Sequence, residues 1–121
     1  MQLTEITFTE ALPIEGYGPG FFRIGGQVLR GPVLITPWGA AAWGGLADRE
    51  TGWAAALALA GRIDVLFVGM GAEIAQVPRD FRDALEAVDI GVEVMSSPAA
   101  CRTYNVLLSE GRRVAVALLP V

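Results

Sequence analysis

Apolar and polar positions change their period near the middle of the chain. In the first third, short apolar runs are punctuated by glycine and proline. Leu3–Phe8 alternates as a strand does, and Ile14–Gly20 holds so many turn formers that it reads as a loop. Phe21–Ile24 and Gln27–Arg30 flank Gly25-Gly26, the pairing expected of a tight hairpin. Pro32–Thr36 is a short apolar strand, broken by Pro37-Trp38-Gly39 before a further short strand at Ala40–Trp43. From Asp48 onward the repeat lengthens. Asp48 or Thr51 caps a helix running to Ala60, with Gly61 as its stop. Ile63–Gly69 is a continuous apolar run, typical of a strand buried on both faces. Pro78 opens a helix whose Phe81, Ala84, Leu85 and Val88 recur at helical spacing. Val92–Met95 follows as a strand. Ser97 as N-cap and Pro98 as first residue start a helix reaching Glu110, ended by Gly111, and Val114–Leu119 closes the chain.

Helices and strands that alternate over short links build a mostly parallel sheet with helices on its faces. The expected architecture is therefore α/β and three-layered. Its central sheet is mixed but mostly parallel, and an N-terminal β-hairpin extends the sheet or packs beside it. Residues 1–121 make a single domain, a length that one core can serve.

Composition narrows the function. With 53% hydrophobic and 18% charged residues the chain can fill a core. A net charge of −4 opposes both a nucleic-acid face and docking on an anionic membrane. No apolar run approaches the ~20 residues of a spanning helix, and Met1–Glu5 lacks the basic start of a secretory signal, so neither membrane insertion nor export is expected. The lone Cys101 fits a reducing, cytoplasmic compartment. The chain contains no histidine, and its nine basic residues are all arginines. This removes Ser-His-Asp and Cys-His pairs, histidine metal sites, Schiff-base lysines and the P-loop lysine. No catalytic residue, metal or cofactor is expected.

What remains is a crevice beyond the carboxyl ends of the strands. Gly69, Met70 and Gly71 lie at one strand end, and Ser96 and Ser97 at a helix start. Glycines permit a close backbone approach and helix N-termini favour anions, but a turn that simply needs small residues explains the same pattern. Cys101, one turn into its helix beside Arg102, is either a thiol of lowered pKa or a buried member of the stripe Cys101, Tyr104, Leu108. Arg102 either guides an anion or pairs with a carboxylate, the second being the simpler reading. Asn105, the only asparagine, is out of place in mid-helix unless it bonds an exposed backbone group. Of Trp38, Trp43 and Trp53, at least two are expected to fill the core. The carboxylates Asp80/Asp83 and Asp89/Glu93 read as solvated surface.

The stretch Ser96-Ser97-Pro98-Ala99-Ala100-Cys101-Arg102-Thr103-Tyr104-Asn105, with Asp64–Gly71, Gly31–Ile35 and Leu118-Leu119-Pro120, resembles a small α/β family of unknown function. That family includes a mitochondrial respiratory complex I assembly factor and an adipogenesis-associated homologue. The resemblance spans essentially the whole chain and is most specific in the Cys-x-Thr-Tyr-Asn helix. It implies a three-layer fold with a mixed sheet, and it implies no established reaction. Ser96-Ser97 stands where relatives often carry Asp-Thr, and Met70 where they often carry Thr, so no role resting on those side chains transfers. Mitochondrial members lack an Arg at the position of Arg102. Together these features lead to a non-enzymatic, assembly-factor-like domain with a protein partner. The alternatives are a small-molecule or anion site at Gly69–Gly71 and Ser97, and a thiol enzyme using Cys101.

Overall fold

The computed structural model describes residues 12–121. The strand expected at Leu3–Phe8 lies outside the described residues. Three short strands come first: β1 (Ile14–Gly18), β2 (Phe21–Ile24) and β3 (Gln27–Arg30), joined antiparallel in the order β1-β2-β3. Gly25 and Gly26 both have positive φ, as a two-residue turn between twisted strands demands. The loop expected at Ile14–Gly20 is thus mostly strand. Its glycines mark a bulge between Ile14 and Gly16, and at Gly18 a close approach in which a Cβ would stand 2.5 Å from the Phe21 ring.

The second sheet holds β4 (Val33–Thr36), β5 (Gly39–Ala42), β6 (Val65–Met70), β7 (Gly91–Met95) and β8 (Val114–Leu119), in the order β5-β4-β8-β6-β7. β6 pairs parallel with β7 and β8, whereas β4 pairs antiparallel with β5 and β8. The sheet is mixed, and only half its pairings are parallel rather than most. The reason is the two-residue Pro37-Trp38 turn, which is too short for a crossover and forces β5 to return beside β4. The N-terminal strands do not extend this sheet; they form their own.

Asp48 caps the following segment by accepting hydrogen bonds from the N–H groups of Glu50 (2.9 Å) and Thr51 (3.3 Å). The Thr51 side chain foremost, and then these N–H groups, hold its carboxyl below its ordinary pKa. That segment begins as a wide π-helical turn, Arg49–Trp53, and tightens into α1 (Ala54–Leu57). α2 covers Arg79–Glu86, so Val88 falls beyond its end and is exposed. α3 covers Ser97–Ser109, with Gly111 at φ +70 just past it.

The five-stranded sheet separates two cores by simple alternation. Leu34, Leu66, Val68, Ala115 and Ala117 face α1 and α2, where Trp43, Trp53, Phe81 and Leu85 pack. Val33, Ile35, Phe67, Val114, Val116 and Leu118 face α3 and the small sheet, meeting Cys101, Tyr104, Phe22 and Ile24. Two of the three tryptophans therefore fill core, but on the α1/α2 side rather than under the N-terminal hairpin. Their indoles are anchored: Trp43 Nε1 donates to the Gly52 carbonyl and Trp53 Nε1 to that of Leu46. Asp80, Asp83, Asp89 and Glu93 are exposed, as expected. Among the described residues no helix is long and apolar enough to cross a membrane.

Candidate functional site

The ends of β6 and β8 meet the start of α3, so Gly69, Gly71 and Ser97 are brought together as the topology required. How they meet decides what the place can do. Ser97, rather than lying outside the helix as its cap, is its first residue and is fully buried. Its hydroxyl donates to the Leu119 carbonyl (2.6 Å) and accepts from the Gly71 N–H (2.9 Å), while its own N–H donates to the Gly71 carbonyl (2.7 Å). One serine thus ties two strand ends to a helix. The cap is Ser96, whose Oγ accepts from the Ala99 N–H at 3.3 Å. A Ser-Ser-Pro sequence offers either serine for that task, and burial of the second settles it.

The consequence for anion binding is direct. In the first turn of α3 the Ser97 N–H goes to Gly71, Pro98 has none, the Ala99 N–H goes to Ser96 Oγ and the Ala100 N–H to the Ser96 carbonyl. The donors that would cradle an anion are spent on the protein itself. Nor does the Gly-Met-Gly turn open a helix: Ala72–Pro78 intervenes before α2 begins. Gly69 is small because α3 packs on it; a Cβ there would lie 2.7 Å from Ser97 Oγ and 2.8 Å from Leu118 Cδ2. Gly71 sits at φ +99, a conformation that suits glycine.

Further along α3, Asn105 accepts from the Ile14 N–H (3.0 Å) and donates to the Ile14 carbonyl (2.8 Å), so its amide continues the β1 edge like one more residue of strand. Cys101 is buried, and burial pushes its thiol from 9.0 up to about 11, with Arg102 only partly opposing. A thiol so placed stays protonated at neutral pH and is a poor nucleophile. Tyr104 is fully buried, and its hydroxyl has no hydrogen-bond partner among the described residues. Burial raises its pKa well above the ordinary phenol value. Its hydroxyl is therefore not at the rim. Arg102 is exposed and, among the described residues, forms no ion pair, contrary to the simpler reading of it.

The opposite side of the same strand ends is open. Met70 and Leu119 turn their side chains into an apolar groove of about 550 Å³, completed by Pro32, the Gly44–Ala47 segment and Pro78. Apart from Met70, none of these is a candidate site residue in the sequence. The groove depends on the β4–β5 hairpin bringing Gly44–Ala47 to the Met70 and Leu119 strand ends, which no local pattern announces. Packing nevertheless leaves a trace there in glycine: a Cβ on Gly52 would overlap the Gly45 carbonyl. Among the described residues no cluster of His, Cys, Asp and Glu could hold a metal ion.

Comparison with known proteins places this architecture. Residues 14–119 match a family described as a protein of unknown function (DUF498/DUF598). An uncharacterised protein of Rhodobacter capsulatus is 54% identical over 114 residues, 94% of this chain and 89% of that protein. The human NADH dehydrogenase [ubiquinone] 1 alpha subcomplex assembly factor 3 is 32% identical over 114 residues, 92% of this chain. The chain spans 62% of that protein's length. Among solved structures, one described as an outer membrane protein from Bartonella henselae superposes with a TM-score of 0.80 at 33% identity, covering 93% of this chain and 97% of that one.

Proposed function

The chain belongs to the DUF498/DUF598 family of proteins of unknown function, and from that premise we propose that it is a non-enzymatic protein-interaction domain of the assembly-factor kind. In this reading it works in the cytoplasm and binds a specific protein partner during biogenesis of a membrane complex. The relatives named as assembly factors motivate the class of activity. The observation that carries it is the internal pairing around Ser97 and Asn105. The polar residues of the most distinctive helix are consumed in holding elements together, and the one thiol is buried and protonated at neutral pH. The open groove beside Met70 and Leu119 is lined almost wholly by apolar surface, which suits a protein partner better than a charged metabolite.

The test is affinity capture with the full chain from native lysate, against a control of the chain with residues of the open side replaced by charge. A reproducible, stoichiometric partner lost in the control is the expected result. Absence of any reproducible partner, or turnover of a substrate by the purified chain, overturns the proposal.

A further inference from the structure

The two edges of the five-stranded sheet are finished differently. At the β7 edge the ladder turns the peptide groups of Val92 and Val94 away from β6, since the Gly91 N–H is given to Asp64 and alternate residues follow it toward β6. There Arg82 of α2 donates to the Val92 carbonyl at 3.0 Å, and Glu93 adds a charge beside it. That edge is covered and charged, as natural sheets commonly arrange.

At β5 the Trp43 N–H goes to the Pro32 carbonyl and Gly39 faces Thr36 across the turn. Gly39, Ala41 and Trp43 therefore bond toward β4, while the peptide groups of Ala40 and Ala42 face away from it. Among the described residues nothing pairs with them. Ala41 and Ala42 are exposed, and no residue of β5 is charged. The strand runs between two recesses: the groove of about 550 Å³ at its Gly44 end, and a smaller one of about 290 Å³ beside Leu34, Thr36 and Trp38.

Charge defines what fits. Arg62 stacks 3.9 Å above the half-exposed Trp38 ring at the start of β5. β5 also touches β3, and Arg30, the last residue of β3, leads over Gly31-Pro32 into Val33, which pairs with Ala42 at the other end of β5. Among the described residues neither arginine has an ion-pair partner. In an antiparallel pairing of β5 with a second copy, the Arg62 end of one chain would meet the Arg30 end of the other, cation against cation, between molecules that each carry −4. A second copy is disfavoured on both counts.

Resting on the interaction reading above, we infer that β5 is a docking edge for an extended segment of a partner protein, uncharged in its centre and bearing a carboxylate near each end. The segment adds antiparallel to β5, exchanging backbone hydrogen bonds with Ala40 and Ala42. Its flanking carboxylates meet Arg62 and Arg30. An apolar side chain at one end enters the groove beside Met70 and Leu119.

The probe is a capped peptide of alternating valine and threonine with one aspartate at each end, titrated into the ¹⁵N-labelled full chain, with a lysine-ended twin as control. Amide shifts concentrated at Trp38–Gly44, and binding at least tenfold weaker for the twin, are expected. Ala42→Pro removes only an outward N–H, which an edge strand tolerates; it should abolish binding with an unchanged melting curve. If Ala42→Pro proves unfolded, Ala42→Asp keeps every peptide group and should weaken the aspartate-ended peptide's binding by setting a carboxylate against the peptide's own. Shifts centred elsewhere, no shifts at all, or equal binding of the two peptides would overturn the inference, as would a wild-type dimer that Ala42→Pro dissociates. A captured partner retained in full by both Ala42 variants removes the docking edge and leaves the interaction reading intact. Failure of the wild type to capture anything removes that reading itself.

Discussion

The ends of β6 and β8 have two sides, and neighbouring residues serve opposite ones. Toward α3, the Gly71 peptide and the Leu119 carbonyl are tied down by Ser97 in three hydrogen bonds of 2.6 to 2.9 Å. Toward α2, the Met70 and Leu119 side chains line an open apolar groove. The rim where an α/β sheet ordinarily receives an anionic ligand is here closed by the protein's own polar groups, and what stays open is apolar. A distinctive motif can therefore mark the assembly of a fold rather than its chemistry. Cys101, Tyr104 and Asn105 belong to such a motif, and all three are turned to the core or to β1.

The hardest way to break the comparison is to add one atom on the closed side. Gly69→Ala puts a Cβ 2.8 Å from Ser97 Cα and from Leu118 Cδ2, neither of which can swing away freely. A loss of about 3 kcal/mol is expected from overpacking, read as a lower denaturant midpoint. A loss below about 1 kcal/mol would show that α3 is not held tightly on β6. Next comes Ser97→Ala, which leaves a buried Gly71 N–H and the Leu119 carbonyl without their partner. About 2 kcal/mol should go, because orphaned buried groups lose more than the net value of the bond. If Ser97→Ala is neutral, the clamp is decoration and the sharp difference between the two sides disappears.

Legibility in the sequence followed the range of the interaction. Pro98, Gly111 and the Phe81/Leu85 spacing act within one turn, and they placed α2 and α3 almost correctly. Asn105 was legible because an asparagine in mid-helix needs a partner, although only the fold could supply Ile14. Ser96 and Ser97 were exchanged because capping strength is the same for either and burial is not a local property. β1 was missed because Gly16 and Gly18 look like turn formers; one lies at a bulge and the other admits the Phe21 ring. The share of parallel pairing was overstated because strand direction on the β4 side is set by a two-residue turn, not by the helices that follow. The groove was illegible throughout. It is made where the Gly44–Ala47 segment, Pro78 and two strand ends converge from distant parts of the chain.

A milder probe is alkali. Burial lifts the Cys101 thiol from 9.0 to about 11, so between those values the unfolded chain releases a proton that the native chain retains. The unfolded state then binds fewer protons, and stability falls as pH rises through this window, by at most about 1.4 kcal/mol per unit. Below pH 9 the group contributes no slope, and above about 11 its effect levels off. Denaturant melts of wild type and Cys101→Ala from pH 8 to 10.5 should diverge above 9, the variant losing less. Parallel curves would mean that the thiol is wet and that the α3 side is as open as the other.

The smallest expected effect carries the opposite sign. Tyr104 is fully buried in the core between α3 and the small sheet, and its hydroxyl has no partner among the described residues. Among the described residues it is the one buried side-chain nitrogen or oxygen without a partner, so it is desolvated without return. Tyr104→Phe keeps the ring and its packing and deletes only the oxygen. The chain should gain about 1 kcal/mol, read as a rise of several degrees in Tm for a domain of this size. A gain would confirm that the closed side is dry enough to penalise an unpaired hydroxyl. A loss of similar size would mean that the hydroxyl is bonded in solution, by water or by another part of the chain. The core behind Cys101 would then be wetter than the pairing around Ser97 and Asn105 implies, and the contrast between a sealed and an open side would have to be redrawn at Tyr104.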